Sequence, residues 1–313
     1  GVPGTVTLIP GRAGTSPSDY KPFDLSTDGF NFAPDNYLQT PQERTGIFVQ
    51  GRYDITDNIS FNTTIMVNER KSEQLLAAIP FTLGAVFGNN VTISPDNIYN
   101  PFGTTVTRAQ YRNTKIFRTF SQDVDTYYFG GGFTGSFDLW DRSFSWDVNG
   151  IYSDNEQLDV TLGQFNRNQL ALGLGPSFIA ADGTPTCGTA AAPIAGCVPI
   201  NLFQGPDGFT QEMVDFASVN LKDQTQKELY NYTANITGDI FELPAGPLGF
   251  AAGYEYRREQ GFFLPDAITA SGATTGNAAQ PTAGGFSLDE FFVCHVHLVE
   301  EHEDLRYTDL VSK

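Results

Sequence analysis

Apolar and polar residues alternate along residues 45–70, and this alternation predicts two strands joined by a short turn. Odd positions of the first strand are mainly apolar and even positions mainly polar, with Phe48 as the exception. After a turn at residues 56–58, the odd positions are again mainly apolar. Because successive side chains on a strand point to opposite faces, each strand should have one apolar and one polar face.

The same two-strand unit recurs at residues 125–153 and 230–257, and a seventh strand is predicted to begin at Phe286. The predicted turns inside these units are short, whereas the connections between units are long. Two helical segments are predicted within the connections, one at residues 72–79 and one in QEMVDFASVNLKD (211–223). The turns lie at 140–143 and 243–247, and the connections at 71–124, 161–226 and 263–285.

These strands have roughly 10–16 residues, more than the roughly 5–6 that are usual in soluble sheets. A tilted strand needs about 9–11 residues to cross a bilayer. Short turns at one end and long loops at the other are typical of outer-membrane barrels. The predicted fold is therefore all-β: a section of an antiparallel transmembrane β-barrel with long extracellular loops and short periplasmic turns. Residues 1–44 are predicted as a loop segment, 45–292 as barrel and 293–313 as an atypical tail.

Composition narrows the possible functions. Charged residues make up 17% of the chain, against about 25% in a typical soluble domain. The net charge of −18 and the absence of a basic stripe exclude a nucleic-acid footprint. GGGFTG (130–135) lies inside a strand pattern and opens no helix, so a phosphate-binding loop is not predicted. There is no Gly-x-Ser-x-Gly motif, and the only histidines lie near the C-terminus. We therefore predict neither an enzyme nor a cofactor.

Three segments carry a family resemblance: FNFAPDNYLQTPQERTGIFVQGRYDITDNISF (30–61), CGTAAAPIAGCVPINLFQGPDGFT (187–210) and residues 241–286. They resemble the barrel of TonB-dependent outer-membrane receptors. The resemblance implies a bacterial outer-membrane location and active uptake of a scarce ligand, which could be an iron–siderophore, a cobalamin or an oligosaccharide. It also implies membrane lipid, a plug domain and the TonB complex as partners.

Only a middle section of that barrel is resembled, because neither the Ton box nor the plug is visible, and residues 293–313 depart from the family pattern. We therefore expect that the chain alone does not transport and that it self-associates. Two alternatives remain open: a passive outer-membrane pore without a plug, and a soluble secreted β-rich binding protein.

In a barrel, the polar strand faces would line the lumen, and their side chains are the candidate ligand contacts. The loop aromatics Phe102, Tyr111, Phe203 and Phe209 are a second, weaker set. The lumen candidates are Arg52, Asn62, Arg70, Asn149, Asn235, Glu255 and Arg257, beside Gln50, Asn68, Asp147 and Asn231.

The cysteines and histidines are the remaining candidates. Cys187 and Cys197 lie in one loop, and an exported protein meets an oxidising compartment, so a disulfide is predicted over two free thiols. Cys294 then has no partner. The cluster HVHLVEEHED contains residues that bind zinc or copper. Because this cluster lies in the atypical tail, chance is the favoured origin and no metal is predicted. Its histidines are His295, His297 and His302.

Overall fold

The computed structural model describes residues 4–85, 89–244, 246–275, 281–293 and 299–300. Cys294, His295, His297 and His302 therefore lie outside the described residues. In chain order the strands are β1 (Val6–Leu8), β2 (Tyr20–Pro22), β3 (Gln42–Thr56), β4 (Ile59–Leu76), β5 (Pro80–Leu83), β6 (Ala109–Arg112), β7 (Arg118–Leu139), β8 (Arg142–Phe165), β9 (Ser177–Ile179), β10 (Pro185–Thr189), β11 (Ala192–Pro193), β12 (Ser218–Leu243), β13 (Gly246–Leu264), β14 (Gly284–Val293) and β15 (Val299–Glu300). The α-helices are α1 (Leu25–Asp28), α2 (Arg167–Gly173), α3 (Gly205–Gly208), α4 (Gln211–Ala217) and α5 (Ala267–Ala270).

One antiparallel sheet dominates the fold. Its strands follow the order β14-β13-β12-β8-β7-β4-β3. The short strand β15 also pairs with β13. The predicted antiparallel all-β fold and the seventh strand are confirmed. Strands β7, β8 and β12 have 22, 24 and 26 residues, more than predicted, because pairing continues toward the loops after the alternation has ended. Every helix in the described part of the chain is too short to serve as a membrane-spanning segment.

The hairpin turns at one end of the sheet are tight. Between β7 and β8, Leu139 pairs with Arg142, so that only Trp140 and Asp141 form the turn. Both turn residues have φ of 56°, in the left-handed region. Two successive residues in this conformation give the turn type whose twist matches that of the flanking strands. This end of the sheet, which also holds the β3–β4 and β12–β13 turns, is called the turn end below.

The register places the predicted apolar and polar positions on opposite faces. Residues directly opposite each other in an antiparallel pair share a face. One row, on the apolar face, consists of Phe61, Phe133, Val148, Ala234 and Tyr254. The next row, on the polar face, consists of Asn62, Gly132, Asn149, Thr233 and Glu255.

Two local predictions had different outcomes. The helix predicted at residues 72–79 is wrong, because β4 continues to Leu76, which pairs with Arg118 on β7. Pairing along both edges of β4 outweighs the weak helix preference of this segment. The helical turn predicted within residues 211–223 is confirmed for α4, which leads directly into β12. Residues 4–41, within the segment predicted as a loop, contain the β1–β2 hairpin and the one-turn helix α1.

The long connections pack together at the other end of the sheet. We call residues 77–117 and 166–217 the loop unit. Its core includes Phe165 at the end of β8, and Phe165, Leu170 and Phe209 are completely buried. Other core residues are Ile79, Leu83, Val91, Ile93, Leu174, Ile200, Phe203, Met213, Val214 and Ala217. The main hydrophobic core thus lies in the loop unit.

A disulfide joins Cys187 to Cys197 within the loop unit, as predicted, with Cα atoms 5.8 Å apart. It closes a loop with a sequence separation of 10 residues, and Cys187 is completely buried. We expect the variant Cys187→Ala/Cys197→Ala to lose about 2–3 kcal/mol of unfolding free energy, because the open loop gains entropy in the unfolded chain.

Denaturant unfolding of the loop unit, followed by tyrosine fluorescence, measures this loss. The reduced wild-type chain is the control and should unfold at the same midpoint as the variant. Equal midpoints for the oxidised and reduced wild-type chain would contradict the prediction.

Candidate functional site

The loop unit and the N-terminal hairpin enclose a cavity of about 710 Å³, which is the first candidate site. Its wall combines strands β1, β2 and β6 with the segment around Phe203. Five aromatic residues line it, beside polar groups that include Asp28, Arg108 and Gln110. The aromatic residues are Tyr20, Phe23, Phe102, Tyr111 and Phe203.

Ring contacts hold the aromatic wall together. The Tyr20 and Phe102 ring centroids are 5.0 Å apart, and those of Phe102 and Phe203 are 6.0 Å apart. Tyr111 stacks on the completely buried Phe209 at 5.7 Å. Phe102, Tyr111 and Phe203, which were the weaker sequence candidates, are therefore brought together at the cavity. Phe209 supports Tyr111 from behind.

Two tyrosine hydroxyls anchor the cavity wall to the backbone. The Tyr20 hydroxyl donates to the Phe203 carbonyl oxygen at 2.7 Å, and the Tyr111 hydroxyl donates to the Gly205 carbonyl oxygen at 3.3 Å. Burial raises the pKa of both tyrosines to about 12, and the neighbouring Asp19 and Asp207 contribute in the same direction. Both hydroxyls therefore stay protonated, and able to donate, across the physiological pH range.

Asp28 gives the cavity wall a fixed charge. Its Oδ1 accepts a hydrogen bond from Lys21 Nζ at 2.7 Å. This bond, together with one from the Asp24 backbone N–H, lowers the pKa of Asp28. The carboxylate is therefore ionised and paired at neutral pH. An aromatic wall with a few oriented polar groups is the usual composition of a small-ligand site.

The polar face of the sheet is the second candidate site, and all seven predicted lumen residues share it. Asp147 Oδ2 accepts hydrogen bonds from Asn149 at 2.7 Å and from Asn235 at 2.9 Å. Arg52 bonds Asp54 and Ser60, both at 3.1 Å. Arg52, Asp147 and Asn235 also line a shallower depression of about 440 Å³ at the turn end.

The other predicted residues on this face also have protein partners. Asn62 donates to Thr134 at 3.5 Å, and Arg70 donates to Gln122 at 3.4 Å. Glu255 accepts from Asn231, and Arg257 pairs with Glu259. Their role as ligand contacts stays a prediction.

A short apolar row interrupts the polar face on β3, β4 and β7. Phe48, the exception in the sequence pattern, pairs with Met66, which pairs with Tyr128. Phe48 and Met66 are 65% and 37% exposed. The row gives this otherwise hydrophilic surface a place for an apolar contact.

Among the described residues, one group of carboxylates could hold a cation. Oxygen atoms of Glu69, Asp123 and Asp125 lie within 4.8 Å of one another, where the apolar face becomes charged near the loops. Lys71 Nζ lies 2.6 Å from Glu69 and 3.7 Å from Asp123, so a lysine already balances part of this charge.

Sequence reasoning missed most of the cavity. Tyr20 and Phe203 meet across 183 residues of sequence. Phe23 and Tyr20 come from a segment predicted only as a loop. No local pattern marks such residues, because the cavity arises from the packing of distant connections.

No family model matches the chain, and no curated protein matches it. Two siderophore-type receptors are among the solved structures that are similar to the chain. The closed form of the ferric-catecholate import receptor Fiu from E. coli K12 has 12% identity and a TM-score of 0.39, over 84% of this chain and 31% of that one. The siderophore receptor PiuA from Acinetobacter baumannii has 16% identity and a TM-score of 0.34, over 81% of this chain and 29% of that one. The chain spans about a third of the length of these two receptors, and both likenesses are distant.

Proposed function

We propose that the chain forms part of the wall and the ligand-binding loops of an outer-membrane β-barrel receptor that takes up a scarce small ligand. The exposed apolar face of the sheet carries the proposal. Phe133, Val148 and Tyr232 are 42%, 47% and 51% exposed on this face. A soluble sheet buries such a face against a second layer, whereas a barrel wall presents it to lipid.

The length of the apolar stretch along the strands supports the proposal of a barrel wall. On β8 the outward side chains are apolar from Phe144 to Tyr152, a stretch of about nine residues that matches what a tilted strand needs to cross the hydrocarbon layer. Asp154 and Glu156 follow on the same face. The ring of Tyr152, the last residue of the apolar stretch, contacts the rings of Phe129 and Tyr230. Aromatic rings at the boundary between apolar and charged surface fit a membrane interface.

The cavity in the loop unit supplies the proposed ligand site, because it lies at the long-loop end of the sheet. The ligand would be an iron chelate, a cobalamin or an oligosaccharide, the classes that the family resemblance implies. The same resemblance adds a plug and the TonB complex as partners. In this proposal the whole receptor, of which the chain is a part, transports its ligand and does not transform it.

The wall requires further strands. Strand β3 forms one edge of the described sheet, and β14 with the short β15 forms the other. An unpaired backbone group in lipid costs several kcal/mol, so both edges need partners, either from additional strands or from another copy of the chain. The chain alone is therefore proposed to be incompetent for transport.

Purification with and without detergent tests the proposal. We expect far-UV circular dichroism to show a folded β-sheet in detergent or lipid. Without either, the exposed apolar face should drive aggregation that light scattering detects. A monodisperse, detergent-free monomer with a cooperative thermal transition would contradict the proposal and favour a soluble β-rich protein.

A further inference from the structure

Two pairs of arginines stand out in a chain whose net charge is −18. The first pair is Arg44 and Arg70, which lie directly opposite each other on the polar face of β3 and β4. Like charges in this position repel. Neither makes an ion pair with a carboxylate of the described residues, although acidic residues outnumber basic ones two to one, 36 against 18.

The partners of the first pair are neutral. Arg70 donates to the Ser72 hydroxyl at 3.2 Å and to Gln122 Oε1 at 3.4 Å. Asp159, on a neighbouring row of this face, instead accepts hydrogen bonds from Gln122 and Gln157, both at 3.0 Å. The positive charge of the pair is therefore not neutralised by a carboxylate in contact with it.

The second pair, Arg112 and Arg118, lies where the sheet meets the loop unit. Arg112 donates to the Ala78 carbonyl oxygen, and its guanidinium carbon lies 4.8 Å from the centre of the Phe30 ring. Arg118 opens β7 opposite Leu76, and its charge repels that of Arg112. Asp35 acts on Arg112 from beyond ion-pair distance, and no described carboxylate forms an ion pair with either arginine.

Some hydrogen-bond donors in and near the second arginine pair have no acceptor among the described residues. Asn113 is only 1% exposed, and its side-chain nitrogen has no acceptor among the described residues. The Arg118 Nε is likewise buried without a partner in the described part of the chain. Two buried donors thus lie five residues apart in the chain, at Asn113 and Arg118. Buried polar groups are normally satisfied, so these two donors point to an acceptor from outside the chain.

The two arginine pairs extend from the cavity onto the polar face of the sheet. Residues 109–111 of β6 line the cavity, and Arg112 follows them directly. Arg118 lies on the polar face by register, and Arg70 shares that face about 20 Å further along the strands, at about 3.3 Å per residue. The arginines therefore lead away from the cavity along the wall of the proposed lumen.

We propose that Arg112 and Arg118 bind a small anionic ligand with carboxylate or phosphate groups at the mouth of the lumen. Arg44 and Arg70 form a second binding site for the same ligand. The inference rests on the proposed function and narrows its ligand to an anion. Guanidinium groups suit such ligands because each can donate two parallel hydrogen bonds to an oxyanion. A neutral oligosaccharide would leave both pairs uncompensated.

Calorimetric titration of the detergent-solubilised chain at low salt tests the inference. Citrate and pyrophosphate are the probes, and the uncharged triethyl citrate is the matched control ligand. We expect both anions to bind and triethyl citrate not to, with affinity falling as salt is added. Arg118→Gln and Arg44→Gln should each weaken binding about tenfold, the loss expected for one charged hydrogen bond.

Arg142→Gln is the matched control variant. It removes the same charge from an arginine at the turn end, 3.7 Å from Glu242, and should leave anion binding unchanged. Arg44 is exposed and bonds no described side chain, so its variant remains informative if Arg118→Gln fails to fold.

Three results would overturn the inference: no binding of either anion, equal binding of triethyl citrate, or equal losses in all three variants. Any of these three results is compatible with the proposed function, provided that the same sample needs detergent to stay monomeric. A detergent-free monomer would instead overturn the proposed function, whatever the titration gives.

Discussion

Replacing Phe209 with alanine is expected to lower the unfolding free energy of the loop unit by about 3–5 kcal/mol. Phe209 is completely buried, stacks on Tyr111 and meets Phe165 edge-on at 6.0 Å. Its removal takes away buried apolar surface and leaves a void that the disulfide-linked loops cannot fully close. Denaturant unfolding followed by tyrosine fluorescence measures the loss.

Phe117→Ala provides the matched control. Phe117 lies in the same loop unit but is 53% exposed, so its loss should cost less than about 0.5 kcal/mol. If both variants unfold at the wild-type midpoint, Phe209 does not belong to a packed core, and the cavity that it supports has no rigid wall.

Replacing Phe133 with arginine is expected to cost about 2–4 kcal/mol of folding stability in a bilayer, because the proposed barrel wall puts this side chain in lipid near the midplane, where a charge must leave water. Phe133 pairs with Val148, at the middle of the apolar stretch of β8, and contacts Phe61 at 5.1 Å between ring centroids. Urea unfolding of the chain in lipid vesicles, read by tryptophan fluorescence, measures the loss.

Thr134→Arg is the control for this prediction. Thr134 is the next residue on the same strand but points to the polar face, where arginine should be tolerated because water reaches it. Equal losses at both positions would mean that both faces meet the same environment, which a barrel wall does not allow.

The sheet could be predicted from the sequence because its signal is local. A period of two fixes which residues of a strand share a face, so the sequence pattern alone predicts that Arg52, Asn149 and Glu255 lie on polar strand faces. The same signal fails at the loop end of the strands. Asp154 and Glu156 occupy apolar-face positions there, and the broken alternation hides the true strand lengths.

The cavity and the loop unit could not be predicted in the same way. Their contacts join Tyr20 to Phe203, and Asn97 to Gly173, across long stretches of chain. The arginine pairs could not be predicted from the sequence for the same reason. Arg44 and Arg70 become neighbours only through strand register, and Arg112 meets Arg118 only through the turn between β6 and β7. The helix predicted at residues 72–79 failed for a related reason, since pairing with β7 decides its conformation.

Accessibility of spin labels in lipid vesicles tests the central claim most directly. A nitroxide on the apolar face should collide with oxygen dissolved in lipid, and one on the polar face with a water-soluble nickel reagent. Opposite accessibilities of the two sets are predicted, and equal exposure of both sets to the aqueous reagent would contradict the barrel-wall account. The apolar-face sites are Ile65, Phe133, Trp146, Ile236 and Phe250, and the polar-face sites are Asn62, Thr134, Asn149, Asn235 and Ala251.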